Sequence, residues 1–426
     1  MPGQVLSAVP SAPYGSPYGS PYGSLPGYAF APDALAVPAA TGTSDAALLV
    51  PGKTFKSTLS SGAKAYFRLE LGATENAYVS TTAVPRAGAT LSPVDRLKVS
   101  LQDADGDSCS LSADSATFGA ARSPRPVAVW GMREVSPGST RCQGEGTYYV
   151  VVERAATADS ASDVWDLELA PVTEPGLTSA EDTEAPDDWD SASPQPPTRQ
   201  AGRRAGGAGF ASAAEIGHGA WSSAIAPGQT LFYKVPLGWG QQLSATAELA
   251  SATPLDGSGF SVSALTLDLY NPARGPVADE AVSYSGKQQA AALDPLPPVD
   301  HANRHATADT VSAMRFAGSY YLVVHLAARV ADDFGDGPFG LTLRVGVEGA
   351  AAEGPAYAGD PVPEGLFDAD AAGTGPGPVS GGGGEDGAGG DPVMTALAVG
   401  GIGGGTVLLV GLGVWSVVAR RRGVSA

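Results

Sequence analysis

Gly146–Ala155 reads GTYYVVVERA, and 172 positions later Gly318–Ala327 reads GSYYLVVHLA. A small residue, a tyrosine pair and a β-branched run describe one half-buried strand, written twice. Three more stretches pair in the same way. LSSGAKAYFRLELG from Leu59 falls without a gap on IAPGQTLFYKVPLG from Ile225, an offset of 166. LKVSLQD from Leu97 falls on LTLDLYN from Leu265 at 168, and the stretch from Asp166 falls on that from Gly340 at 174. Offsets that grow steadily along the chain are those of paired strands separated by small loop insertions.

Between these strands the chain alternates apolar and polar residues, and no stretch has helical periodicity. Short strands with Gly and Pro turns predict an all-β protein of two tandem antiparallel β-sandwich domains. The first is expected over 49–172 and the second over 212–347. Residues 1–48, with the PYG repeats of SAPYGSPYGSPYGS, read as a disordered lead. Residues 173–211 read as a disordered linker and 348–392 as a Gly/Pro-rich stalk. Glycine and proline, 57 and 35 of 426 residues, are concentrated enough to need such segments.

From Val393 to Ala419 the sequence is apolar and free of charge, long enough for a transmembrane helix. Trp415 near its end suits a membrane interface, and Arg420, Arg421 and Arg422 open a basic tail at 420–426. Acidic residues Glu385, Asp386 and Asp391 precede the span, so the arginines are expected in the cytoplasm and everything before Val393 outside. The expected address is a cell membrane, crossed once, with the lipid bilayer as partner. An outside domain needs a signal peptide, and the first twenty residues lack its basic and apolar regions. A further N-terminal part is therefore expected.

The net charge of −19 repels polyanions and excludes nucleic acid as a partner. Two cysteines, Cys109 and Cys142, are too few for a zinc site without nearby histidines. They form either one disulfide, expected of an exported domain, or two buried free thiols.

Chemistry is sparse. His325 ends one repeated strand, and its counterpart is Glu153, a swap that a catalytic base does not tolerate. His301 and His305 have the spacing of a helical metal pair but lie in an insertion that reads as a polar loop. GDSCS at 106–110 lacks the second glycine of a nucleophile elbow. Asp103, Asp105 and Asp107 alternate as calcium ligands do, yet the glycine is misplaced and the terminal glutamate missing, so a turn is expected. No catalytic constellation, cofactor motif or metal site emerges, and the chain reads as a non-enzyme. Within each tyrosine pair, one ring is expected inward and one outward. Tyr149, Tyr321, Trp221 and Trp239 are the candidate contacts to an extracellular protein or cell-wall glycan.

The Gly-x-x-Tyr-Phe strand, the L-x-V-x-L-x-D strand and the closing G-T/S-Y-Y-V/L-V-V strand resemble the bacterial pre-peptidase C-terminal domain. The matching segments are 62–71, 97–103 and 146–152, then 228–237, 265–271 and 318–324. The resemblance implies a jelly-roll-like sandwich that serves as a non-catalytic appendage. The stalk, apolar helix and arginine cluster are similar to the anchor of actinobacterial membrane-bound subtilases. Two alternatives follow: the anchored C-terminal part of a larger secreted protease or adhesion protein, or an accessory subunit of an envelope secretion system.

Overall fold

A computed structural model describes residues 27–372, apart from 93, 111–113, 137–138, 157–162, 180–183, 187–188, 193–196 and 199. The rest of the expected stalk, the span Val393–Ala419 with Trp415, and Arg420, Arg421 and Arg422 lie outside the described residues. Among the described residues no helix is long and apolar enough to cross a membrane.

The first half supplies β1 (Leu35–Ala36), β2 (Ala47–Leu48), β3 (Phe55–Leu59), β4 (Lys64–Leu71), β5 (Asn76–Val84), β6 (Arg96–Gln102), β7 (Asp114–Thr117), β8 (Val127–Arg133), β9 (Gly146–Ala155) and β10 (Trp165–Glu174). The second supplies β11 (Gly202–Arg203), β12 (Ala214–Glu215), β13 (Gly219–Ile225), β14 (Thr230–Leu237), β15 (Gln242–Leu249), β16 (Ser261–Tyr270), β17 (Pro276–Tyr284), β18 (Gln289–Ala292), β19 (Gly318–Leu326) and β20 (Phe339–Glu348). Helices are short: α1 (Asp309–Ser312), α2 (Val330–Phe334) and α3 (Ala369–Ala372).

Each half folds into two five-stranded sheets. In the first half their orders are β1-β3-β10-β5-β8 and β2-β4-β9-β6-β7. In the second they are β11-β13-β20-β15-β18 and β12-β14-β19-β16-β17, the same topology strand for strand. The registers repeat as well. Lys64 faces Glu153 across β4 and β9, and Thr230 faces His325 across β14 and β19. Gln102 faces Tyr149 and Tyr270 faces Tyr321. These pairs reproduce the offsets of 166, 168 and 172 read from the sequence. The halves are thus two copies of one sandwich.

Alternation explains each core. In KAYFRLEL, the side chains of Ala65, Phe67, Leu69 and Leu71 are buried while Lys64 and Glu70 are exposed. Tyr148 and Tyr320 turn inward in the tyrosine pairs, and Tyr149 and Tyr321 are only half-buried. The sequence disulfide alternative is settled by a Cys109–Cys142 bond, which ties the loop after β6 to the loop before β9.

Three expectations need correction. The sandwiches are not wholly antiparallel: β1 with β3, β2 with β4, β11 with β13, and β12 with β14 pair in parallel. These two-residue strands cap sheet edges, which would otherwise present open hydrogen-bonding groups. Three of the four caps lie outside the expected limits of 49 and 212: β1 and β2 fall in the supposed lead and β11 in the supposed linker. The stretch 348–392 is also not stalk from its start. Glu348 ends β20, Tyr357 bridges Leu177, Val362 bridges Thr173, and Phe367 is buried. We call Gly354–Phe367 the strap.

Several strands are buried on both faces, which a free sandwich would not need. All residues of β5 but Val84 are buried, and so are all of β10 but Asp166. One face of each serves its own core, through Ala77, Val79, Leu167 and Leu169. The other face meets the second sandwich, so the four sheets stack as consecutive layers.

Candidate functional site

The seam between the sandwiches is built from residues that alternation turns away from each core. Tyr78 (β5), Trp130 (β8) and Val172 (β10) pack with Ala273 and Phe316 of the second sandwich and Phe367 of the strap. Tyr78 stacks on Trp130 at 5.2 Å, and Phe316 stacks on Phe367 at 4.4 Å. A second apolar cluster joins Ala128 to Phe210, Phe232, Tyr270 and Val323. Tyr28, from the supposed lead, lies edge-on to Phe232 at 5.7 Å.

Two buried carboxylates pin this contact. Glu168 accepts from Arg274 at 2.7 Å, from the Tyr28 hydroxyl at 2.9 Å and from the Ala31 amide at 2.9 Å. Glu174 accepts from Arg304 at 2.6 and 3.2 Å, from Asn76 at 2.8 Å, and from the hydroxyls of Tyr78 and Tyr357 at 2.9 Å each. Burial works against the charge of Glu174, but the Arg304 charge and hydrogen bonds from His301, Arg304 and Asn76 outweigh it and hold the carboxyl well below the usual range. Burial pushes the Tyr78 hydroxyl well up, with the Glu174 charge adding to it.

His325 belongs to the same seam. Its Nε2 is 2.9 Å from Ser123 Oγ of the first sandwich, and its Nδ1 is 3.0 Å from Thr230 Oγ1. Burial, then the Arg125 charge, lower its pKa to about 3, so the ring is neutral at physiological pH. Its role is packing, as the swap with Glu153 suggested.

At one end the seam opens into a cleft of about 400 Å³. The first sandwich contributes Asp114, Arg125 and Trp130, and the second Asp268, Asp279 and Asp309. Arg125 pairs with Asp268 at 3.0 Å, leaving three acids to face the opening against no further cation of the lining. Burial and the nearby Asp309 raise Asp114 to about 6, although the Trp130 indole and Arg315 act the other way. Such a lining suits a ligand with cationic or hydrogen-donating groups.

The other candidates occupy different ground. Tyr321 lies edge-on to Phe210 at 5.1 Å, within the seam. Trp221 donates to the Gly217 carbonyl at 2.9 Å and lies beneath Gly202 of β11. Tyr149 sits half-buried on β9. Trp239 lines a separate groove. Asp103 accepts from the amides of Asp105 at 3.1 Å and Asp107 at 2.9 Å, closing a turn on itself. His301 and His305 bound a 3₁₀ turn, where positions four apart do not share a face. Among the described residues no three metal-ligating side chains are placed to hold an ion. The seam itself escaped the sequence reading. Its one signal is the absence of charge from NAYVSTTAV, a strand that needs no solvent face.

No family model matches the chain, and no curated protein matches it. Among solved structures, the tandem domain CBM22-1-CBM22-2 of Paenibacillus barcinonensis Xyn10C aligns at 9% identity over 69% of this chain and 91% of its own, TM-score 0.18. The CUB1-EGF-CUB2 domain of human MASP-1/3 aligns at 8% identity over 68% and 99%, TM-score 0.17. The ANX2 ectodomain of Arabidopsis thaliana aligns at 7% identity over 70% and 85%, TM-score 0.18. Scores of this size carry nothing over to this chain.

Proposed function

We propose that the chain is a non-enzymatic extracellular binding protein, anchored in a membrane by Val393–Ala419 with its arginine tail in the cytoplasm. The observation that supports this reading is the seam. Aromatic packing and two buried ion pairs join the sandwiches into one body, and the cleft of about 400 Å³ lies between them. Ligand sites commonly form where domains meet. The partner is an extracellular protein or cell-wall glycan. The jelly-roll likeness and the resemblance to pre-peptidase C-terminal domains belong to the same reading, since such modules serve as non-catalytic appendages.

External protease added to intact cells tests the orientation. The reading expects fragments of the sandwiches to be released while a tag placed after Ala426 survives. Survival of the sandwiches with loss of the tag would reverse the topology.

A further inference from the structure

The turn from β14 to β15 repeats the turn from β4 to β5. Gly238 donates its amide to Gln241 Oε1 at 2.8 Å, as Gly72 donates to Glu75 Oε1 at 2.5 Å. At the offset of 166, Trp239 stands where the first sandwich has Ala73. The module therefore closes this turn without an aromatic ring; in the second copy the half-buried indole packs with part of its surface on the core and lines a groove with the rest.

Around that indole the second sandwich builds a groove of about 540 Å³ that uses elements additional to the paired strands. One wall is Val299–Ala302, from the insertion before α1, and the other is Ala352–Pro355, where the strap begins. Trp239 is held firmly. Its carbonyl accepts from the Ala352 amide at 2.8 Å, and the next residue, Gly240, donates to Val299 at 2.8 Å. Gly354 lies so close that a β-carbon there would be 2.3 Å from Trp239 Nε1. The His301 ring is tilted beside it at 6.4 Å. The exposed acids Asp300 and Glu353 also line the groove. Asp300 commits one oxygen to the Ala302 amide at 2.9 Å.

We infer that this groove binds a neutral pyranose oligosaccharide. The indole offers a rigid apolar surface for the C–H face of a sugar ring, and the two carboxylates offer acceptors for its hydroxyls. A ring fixed before the ligand arrives loses little entropy on binding. Asp300, Glu353 and the net charge of −19 disfavour an acidic glycan. The inference rests on the reading of the protein as an extracellular binding protein and names its ligand class at a site apart from the seam cleft.

The test uses the full chain in detergent, titrated with N-acetylchitotetraose, cellotetraose and an oligogalacturonate of the same length. Isothermal calorimetry and saturation-transfer NMR read binding. Saturable binding of at least one neutral probe is expected, with oligogalacturonate weaker. Trp239→Ala should weaken it at least tenfold, Trp239→Phe should retain part of it, and Phe260→Ala, at an exposed aromatic outside the groove, should leave it unchanged. Trp239→Ala also removes the packing of the indole on the core of the second sandwich, so its thermal midpoint should fall, and circular dichroism checks that it is folded; Trp239→Phe, which keeps an apolar ring there, separates lost binding from lost packing. No saturation by any neutral probe, equal affinity in Trp239→Ala, or tighter binding of oligogalacturonate would overturn the inference. Protease accessibility on cells is read independently, so loss of the groove and loss of the extracellular reading are separable outcomes.

Discussion

Gly275 of the second sandwich lies against the Trp130 indole of the first: a β-carbon at Gly275 would stand 2.4 Å from Trp130 Cδ2. The obstacle is a buried ring packed against Tyr78 and Phe316, which cannot shift without disturbing both contacts. Gly275→Ala should therefore cost about 1–3 kcal/mol, as overpacking of a close-packed contact does. Thermal unfolding followed by near-ultraviolet circular dichroism should show a lower midpoint, and Gly275→Val a lower one still. A Gly275→Ala protein as stable as the parent would mean that the seam is looser than this contact requires.

Glu174 joins β10, the 3₁₀ turn at His301–His305 and the strap at one point. Arg304→Ala would leave that buried carboxylate without its guanidinium and should cost about 3–5 kcal/mol. Glu174→Gln should also destabilise, since the amide nitrogen that replaces one oxygen meets only donors and Arg304 loses its counter-charge. Chemical denaturation of the three proteins ranks them directly.

The same residue sets an acid limit. Its folded pKa lies below its unfolded one, so its contribution is complete above the ordinary carboxylate range and is lost as pH falls through and below that range. Midpoints measured between about pH 2 and pH 5 should fall more steeply in the parent than in Glu174→Gln. Equal slopes would remove Glu174 from the acid response.

Asp114 works with the opposite sign. Raised to about 6, it binds a proton more readily folded than unfolded, so stability should decline as pH rises from about 4 to 6. Burial is the main cause, with repulsion from Asp309 across the cleft adding to it, while the Trp130 indole and Arg315 act the other way. Asp114→Asn should match the parent near pH 4 and exceed it above pH 6, by on the order of 1 kcal/mol after solvent screening. A cationic ligand in the cleft should shift the same titration downward, which NMR of the Asp114 carboxyl would read.

Cys109 and Cys142 are 33 positions apart. Closing a loop of that length removes roughly 3–4 kcal/mol of unfolded-state entropy. Cys109→Ser/Cys142→Ser should lower the unfolding free energy from chemical denaturation by that much, and reductant should have no further effect on it. Sensitivity of the double variant to reductant would contradict the pairing.

The paired strands were legible because each carries several apolar residues at fixed spacing, and the spacing survives copying. Tyr148 and Tyr320 could be turned inward from alternation alone. The seam was harder to read because its anchors stand singly in Gly, Pro and Ala-rich sequence: Tyr28 after the tyrosine repeats, Phe210 after GGAG, Phe367 after VPEGL. An isolated aromatic has no period to betray its partner. The parallel caps β1, β2, β11 and β12 are two residues each, too short for alternation to register. Trp239 was visible as an aromatic, but its groove is assembled from three segments far apart in the sequence, at 239–240, 299–302 and 352–355. Only the comparison with Ala73 shows that the turn does not require it.

The strap also fixes how the protein bears a load. It leaves the second sandwich after β20, yet its backbone hydrogen bonds at Ala356, Ala358 and Val362 run to Thr178, Gly176 and Thr173, at the end of the first. A pull on the chain beyond Ala372 thus meets Phe367 against Phe316 before it can reach the end of β20. The next resistance is at Val362, held on Thr173, so tension divides between both sandwiches. Neither can be peeled open alone from the C-terminal side.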